Sequence, residues 1–160
     1  MKKYVILVMI IFSLTSCKKE KSNSQSGNFK LVISNGPTLN ATYTDAPLPS
    51  ASNTFSFQST NRALISAYFD VQNYADLDIW PFDKIGKNIV INKIYKSTGD
   101  WMASEDDFEF GCDIDGVRLD FDYSEIVFTK YNVPGEIVAT FKALKNNAIV
   151  ATGEFNFISK

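Results

Sequence analysis

Residues 107–123 read D-F-E-F-G-C-D-I-D-G-V-R-L-D-F-D-Y, and this stretch decides the fold class. Two runs alternate apolar with polar residues and meet at Asp115-Gly116. Asp-Gly between alternating runs signals a β-hairpin, because a type I′ turn needs positive φ at both central residues. Closing the strands about that turn sets Ile114 against Val117, Cys112 against Leu119, Phe110 against Phe121 and Phe108 against Tyr123. The apolar residues then share one face, while Glu109, Asp113, Arg118, Asp120 and Asp122 share the other. A slip of one residue would turn the whole apolar set to water, so the pattern specifies the register.

The same logic runs on to the C-terminus. Ser124-Glu125 reads as a second tight turn, setting Tyr123 opposite Ile126 and Phe121 opposite Phe128; the alternative is one long bent strand from Val117 to Tyr131. Val133-Pro134-Gly135-Glu136 has Pro and Gly where a type II turn wants them, and pairs Phe128 with Phe141 and Ile126 with Ala143. A three-residue loop at Asn146-Asn147-Ala148 then sets Ala143 against Ala151, Ala139 against Phe155 and Ile137 against Phe157. The expectation is a C-terminal five-strand antiparallel meander with one apolar face and one wet face.

Upstream, residues 29–34 and 38–43 read as strands about the Asn35-Gly36-Pro37 turn, and residues 44–53, with two prolines, as a loop. Residues 54–59 alternate cleanly. Residues 62–69 carry some helical spacing, but their Ile, Tyr and Phe favour a strand. Residues 77–83 hold Pro81 and suit an edge strand; residues 89–95 read as another strand, and residues 96–106 as a loop containing Trp101. About ten short strands in one domain over residues 29–160 mean an all-β fold, an antiparallel β-sandwich or an up-and-down barrel.

Composition narrows the function classes. Aromatic residues make up 14% of the 160-residue chain, a mix that suits half-buried strands. The net charge of −2 leaves no basic footprint for nucleic acid. Histidine is absent, which removes His-based catalytic triads and the commonest transition-metal ligand. No Gly-rich phosphate loop, cysteine cluster or nucleophile motif occurs, so neither a cofactor nor an enzymatic activity is expected.

The N-terminus carries the most specific signal. Lys2 and Lys3 precede an apolar run from Tyr4 to Leu14, too short to span a bilayer comfortably. Leu14-Thr15-Ser16-Cys17 then resembles the lipobox of bacterial lipoprotein signal peptides. That resemblance implies cleavage before Cys17, a diacylglycerol on its sulfur and acylation of the new amino group. More than one acyl chain makes such an anchor stable, so the membrane is an expected partner. Cleavage leaves 14 basic residues against 18 acidic, and Cys112 as the sole free thiol. Residues 18–28 are polar and Ser/Asn-rich and read as a tether. Residue 18 is Lys where an inner-membrane retention signal has Asp, which points to the outer membrane, on its periplasmic or cell-surface side.

Two sets of residues are candidates for a site. Asp113, Asp115, Asp120 and Asp122 fall on or beside the hairpin's polar face, and carboxylates converging at a turn can bind calcium. The bland alternative is a solvated face that discourages edge-to-edge pairing. In the expected register Glu109 also faces Asp122, a carboxylate pair of the kind glycoside hydrolysis uses, though on a convex face. Trp80, Phe82 and Trp101 could instead form a platform on which a sugar stacks; the bland reading has them closing the ends of the core.

The ending G-E-I-V-A-T-F-K-A-L-K-N-N-A-I-V-A-T-G-E-F-N-F, with Thr152, Gly153, Phe155 and Phe157 in its last strand, is similar to the close of a group of small Bacteroidota lipoproteins. The resemblance implies an all-β lipoprotein and no particular activity. The sequence therefore points to a lipid-anchored envelope protein with a non-enzymatic binding or structural β domain, for which an envelope protein or glycan is the expected partner. A closed barrel holding an apolar ligand and a hydrolytic surface domain are the alternatives.

Overall fold

The computed structural model describes residues 25–45, 52–59, 63–79, 89–98, 108–132 and 134–159. Among the described residues eleven strands form one sheet: β1 Ser26–Ile33, β2 Thr38–Tyr43, β3 Thr54–Ser59, β4 Ala63–Tyr68, β5 Tyr74–Ile79, β6 Ile94–Thr98, β7 Glu109–Ile114, β8 Val117–Arg118, β9 Tyr123–Tyr131, β10 Gly135–Lys145 and β11 Ala148–Ser159. Their spatial order is β6-β9-β10-β11-β1-β2-β3-β4-β5-β7-β8. Neighbours are antiparallel except β2 and β3, which run parallel. The sheet curls over one core as an open half-barrel, bringing β6, at one edge, back into contact with β7 near the other.

Alternation explains the core. On β1, Phe29 and Leu31 point inward; on β10, Ile137, Ala139, Phe141 and Ala143; on β11, Ala151, Phe155 and Phe157. Their rings meet across the curl. Phe29 lies 5.6 Å from Phe141 and 6.5 Å from Phe155, Phe110 of β7 lies 5.2 Å from Phe141, and Phe57 stacks on Phe157 at 4.5 Å. Each such pair adds about 0.5–1.5 kcal/mol beyond the area it buries. Gly153 serves one of these contacts. A Cβ there would collide with the Phe141 ring, so glycine lets the ring lie flat across the neighbouring strand.

The hairpin at Asp115-Gly116 forms as expected, with φ of +51° and +74°, and Ile114 pairs with Val117. Its ladder is short. The last bond runs from the Leu119 N–H to the Cys112 carbonyl at 2.7 Å, after which the chain leaves β7. Residues 119–122 cross to the far edge of the sheet, with Leu119 and Phe121 packed on the core and the Asp122 N–H bonded to the Leu144 carbonyl. Phe121 still meets Phe110, ring to ring at 5.5 Å, but as a packing contact and not as a strand partner.

The expected five-strand meander is thereby corrected. Ser124-Glu125 is no turn: it lies inside β9, one nine-residue strand whose Ser124, Ile126 and Phe128 face the core. What remains of the meander is β9-β10-β11, and it continues into β1 and β2. The register of β9 on β10 also differs by two residues, with Phe128 opposite Ala139 and Ile126 opposite Phe141. A shift of two keeps every side chain on its face, which is why alternation alone did not settle it. The register of β10 on β11 is as expected: Ala143 with Ala151, Ala139 with Phe155, Ile137 with Phe157. Its connection is a two-residue Asn146-Asn147 turn, both residues at positive φ, plus a bulge after Ala143.

Elsewhere, the stretch with mixed helical and strand signals forms a strand, β4, over Ala63–Tyr68. β5 begins at Tyr74 and pairs with both β4 and β7, so it is not an edge strand. The edges are instead β8 and β6, and β6 begins at Ile94 and includes Lys96, Ser97 and Thr98; Asn92, at φ +63°, ends a turn where the sequence suggested strand. β1 starts at Ser26, three residues before the expected strand start at Phe29 and so within the expected tether.

Candidate functional site

The acidic residues singled out from the sequence do not converge. Asp113 pairs with Arg118 at 3.4 Å. Asp120 pairs with Lys145, and Asp122 accepts the Asn146 N–H at 2.6 Å. Asp115 lends its backbone N–H to Asn73 Oδ1 at 3.1 Å, and Gly116 donates to the Gln72 carbonyl at 2.8 Å, which locks this turn onto the β4–β5 turn. Among the described residues, no group of three or more Cys, Asp or Glu side chains is placed to hold a metal ion. The cause is the crossing of residues 119–122, which carries Asp120 and Asp122 away from Asp113 and Asp115. Glu109 likewise stands opposite Asp78 in the ladder, not opposite Asp122. Cys17, Trp80, Phe82 and Trp101 lie outside the described residues.

A different site emerges on the outer face of the sheet. Registers across β6, β9, β10, β11, β1 and β2 align its outward side chains in rows perpendicular to the strands. One row runs Lys96, Glu125, Lys142, Thr152, Val32, Thr38. The next runs Ile94, Val127, Thr140, Glu154, Lys30, Asn40. A third passes from Val138 through Asn156 and Asn28 to Thr42 and, across the parallel join, Thr54. Two adjoining concavities lie over these rows, of about 500 and 560 Å³, and share Lys30, Thr140 and Glu154. The first is walled by lysines, carboxylates and aliphatic groups, the second by amides and hydroxyls of Asn28, Asn40, Thr42, Asn53 and Asn156.

Glu125 is the anchor of the first concavity. It is only 8% exposed although it faces outward, flanked by Lys96 and Lys142 on the adjacent strands. Lys142 reaches its Oε2 at 2.9 Å and Lys96 its Oε1 at 3.2 Å. The hydrogen bond from Lys142 holds its carboxyl below the usual range against the opposing effect of burial, and Lys96 adds to the shift. Glu125 is therefore ionised and fixes two ammonium groups side by side. Lys30 and Glu154, 3.8 Å apart, continue the charges along the next row. On the third row the Asn28 N–H and Nδ2 both reach Asn156 Oδ1, at 2.9 and 3.4 Å, which sets two amides abreast.

Sequence reasoning placed Glu125 in a turn and gave Lys30, Lys96 and Lys142 no role. The one available signal was the strict alternation of polar residues opposite the apolar face, which identifies a wet face but not its shape. The interior that an apolar ligand would occupy in a barrel is crossed by the aromatic contacts among Phe29, Phe110, Phe141 and Phe155. No family model, curated protein or solved structure matches this chain.

Proposed function

We propose that this protein is a non-enzymatic binding lipoprotein, anchored to the bacterial outer membrane through Cys17, whose β domain engages an envelope component with its outer face. The supporting observation is the placement of the concavities: both lie over the outer rows, where Glu125 holds Lys96 and Lys142, while aromatic rings occupy the inner face. A sheet filled on one side and grooved on the other is built to present the grooved side. The anchor rests on the lipobox and the binding role on the groove, so the two are tested separately. Cys17→Ser releases the protein from the membrane fraction if the anchor reading holds; retention in that fraction refutes it. A photo-crosslinker at Thr140, in the groove, gives an adduct in intact cells, and one at the exposed Val71 of the β4–β5 turn gives none. Loss of the Thr140 adduct, or equal adducts at both positions, overturns the binding reading.

A further inference from the structure

We infer that the groove takes a carboxylate-bearing polysaccharide lying across the strands, an inference that rests on the binding reading above. Charge is the first reason. The protein is acidic overall at net −2, yet the first concavity and its rim gather Lys30, Lys96 and Lys142 against Glu125 and Glu154, an excess of one positive charge. Glu125 fixes the position of two of these ammonium groups and uses one N–H of each. An ammonium has three donors, so both keep donors for a ligand anion.

The second reason is the chemistry of the adjoining concavity. Asn28, Asn40, Asn53 and Asn156 offer amides, and Thr42 and Thr140 hydroxyls, on a surface continuous with the lysines. An amide can both donate and accept, the complement of paired sugar hydroxyls. Asn156 Oδ1 is taken by Asn28, so that pair presents the Asn156 Nδ2 donors and the Asn28 Oδ1 acceptor. An acyl chain in the same place would leave those groups unpaired, at a cost, and so is disfavoured. The rows supply the direction. Six adjacent strands at about 4.8 Å spacing give a track of about 24 Å perpendicular to the chain direction, which suits a linear polymer. Along it, Ile94, Val127 and Val32 provide aliphatic ground for the C–H faces of sugar rings, the lysines meet the carboxylates, and the amides follow.

The test titrates full-length protein in detergent with oligogalacturonate and with its methyl ester, which keeps the hydroxyls and removes the charge. The acid form binds, the ester binds about tenfold more weakly, and added salt weakens the acid form alone. Lys30→Gln and Lys142→Gln each lower affinity for the acid by about tenfold and affect the ester much less. A circular dichroism melt confirms that each variant is folded. Equal affinity for acid and ester overturns the inference, as does binding that neither lysine variant affects. Binding to neither sugar, or to phosphatidylglycerol vesicles in their place, also overturns it. With a Thr140 adduct still formed in cells, those results leave the binding reading intact; without the adduct, both fall.

Discussion

The two faces of β9, β10, β11 and β1 are built from the same strands, residue by residue, and obey different physics. Inward, Phe29, Phe128, Phe141, Phe155 and Phe157 remove aromatic area from water and are held by contact on every side. Outward, Glu125 of β9 pairs with Lys142 on β10 and with Lys96 on the edge strand β6, one partner on each adjacent strand. Buried area is nonspecific and large; cross-strand polar pairs are specific and each worth only about 0.2–1 kcal/mol. The inner face therefore carries stability, and the outer face is free to carry recognition. Glu125 is the exception that joins them, because it is an outward residue with an interior degree of burial.

That contrast can be broken by substitution. Phe155→Ala removes a ring that touches both Phe29 and Phe128, and chemical denaturation should register a loss of about 3–5 kcal/mol. A loss below about 1 kcal/mol would mean the interior is loosely packed. Glu125→Gln should cost less, about 1–2 kcal/mol at neutral pH, since the lysines it releases are largely exposed and become solvated. Its signature is in the pH dependence. Because the folded pKa of Glu125 is lowered, its contribution is fully present above the ordinary glutamate value near ~4.3 and disappears as pH falls through the lower folded value. Wild type should thus lose stability across that acid window more steeply than the variant, and the two should converge below it; parallel curves would show that Glu125 is not held as described. Asn156→Ala, on the outer face alone, should leave stability within about 0.5 kcal/mol of wild type. A larger loss would mean that the amide pair with Asn28 supports the sheet and is not kept for a ligand.

Two hairpins show how far local signals reach. Asp115-Gly116 and Asn146-Asn147 both hold two residues at positive φ, and both fix the register of the residues beside them. From Asn146-Asn147 the ladder runs the full length of β10, to Gly135 with Ser159. From Asp115-Gly116 the ladder ends after Arg118, although L-D-F-D-Y keeps alternating. The alternation in residues 119–122 serves a connector instead: Leu119 and Phe121 seal the core, while Asp120 and Asp122 reach Lys145 and the Asn146 N–H. Crossing the curl and pairing with β7 make the same demand on side chains, so their pattern is the same.

Local sequence pattern is enough for the all-β class, the apolar face of the C-terminal strands, the Asp115-Gly116 turn and the register of β10 on β11. These follow from a period of two and from residues that tolerate positive φ, both of which are local properties. Long-range packing sets the rest: β9 lies beside β6 and not β8, β1 closes against β11, and Lys30, Glu125 and Lys142 share a groove. Backbone hydrogen-bonding groups are alike on every strand, so alternation names the face of a residue and leaves its neighbour open. Partners are chosen by how the whole sheet curls to bury its rings, and the groove is a consequence of that choice.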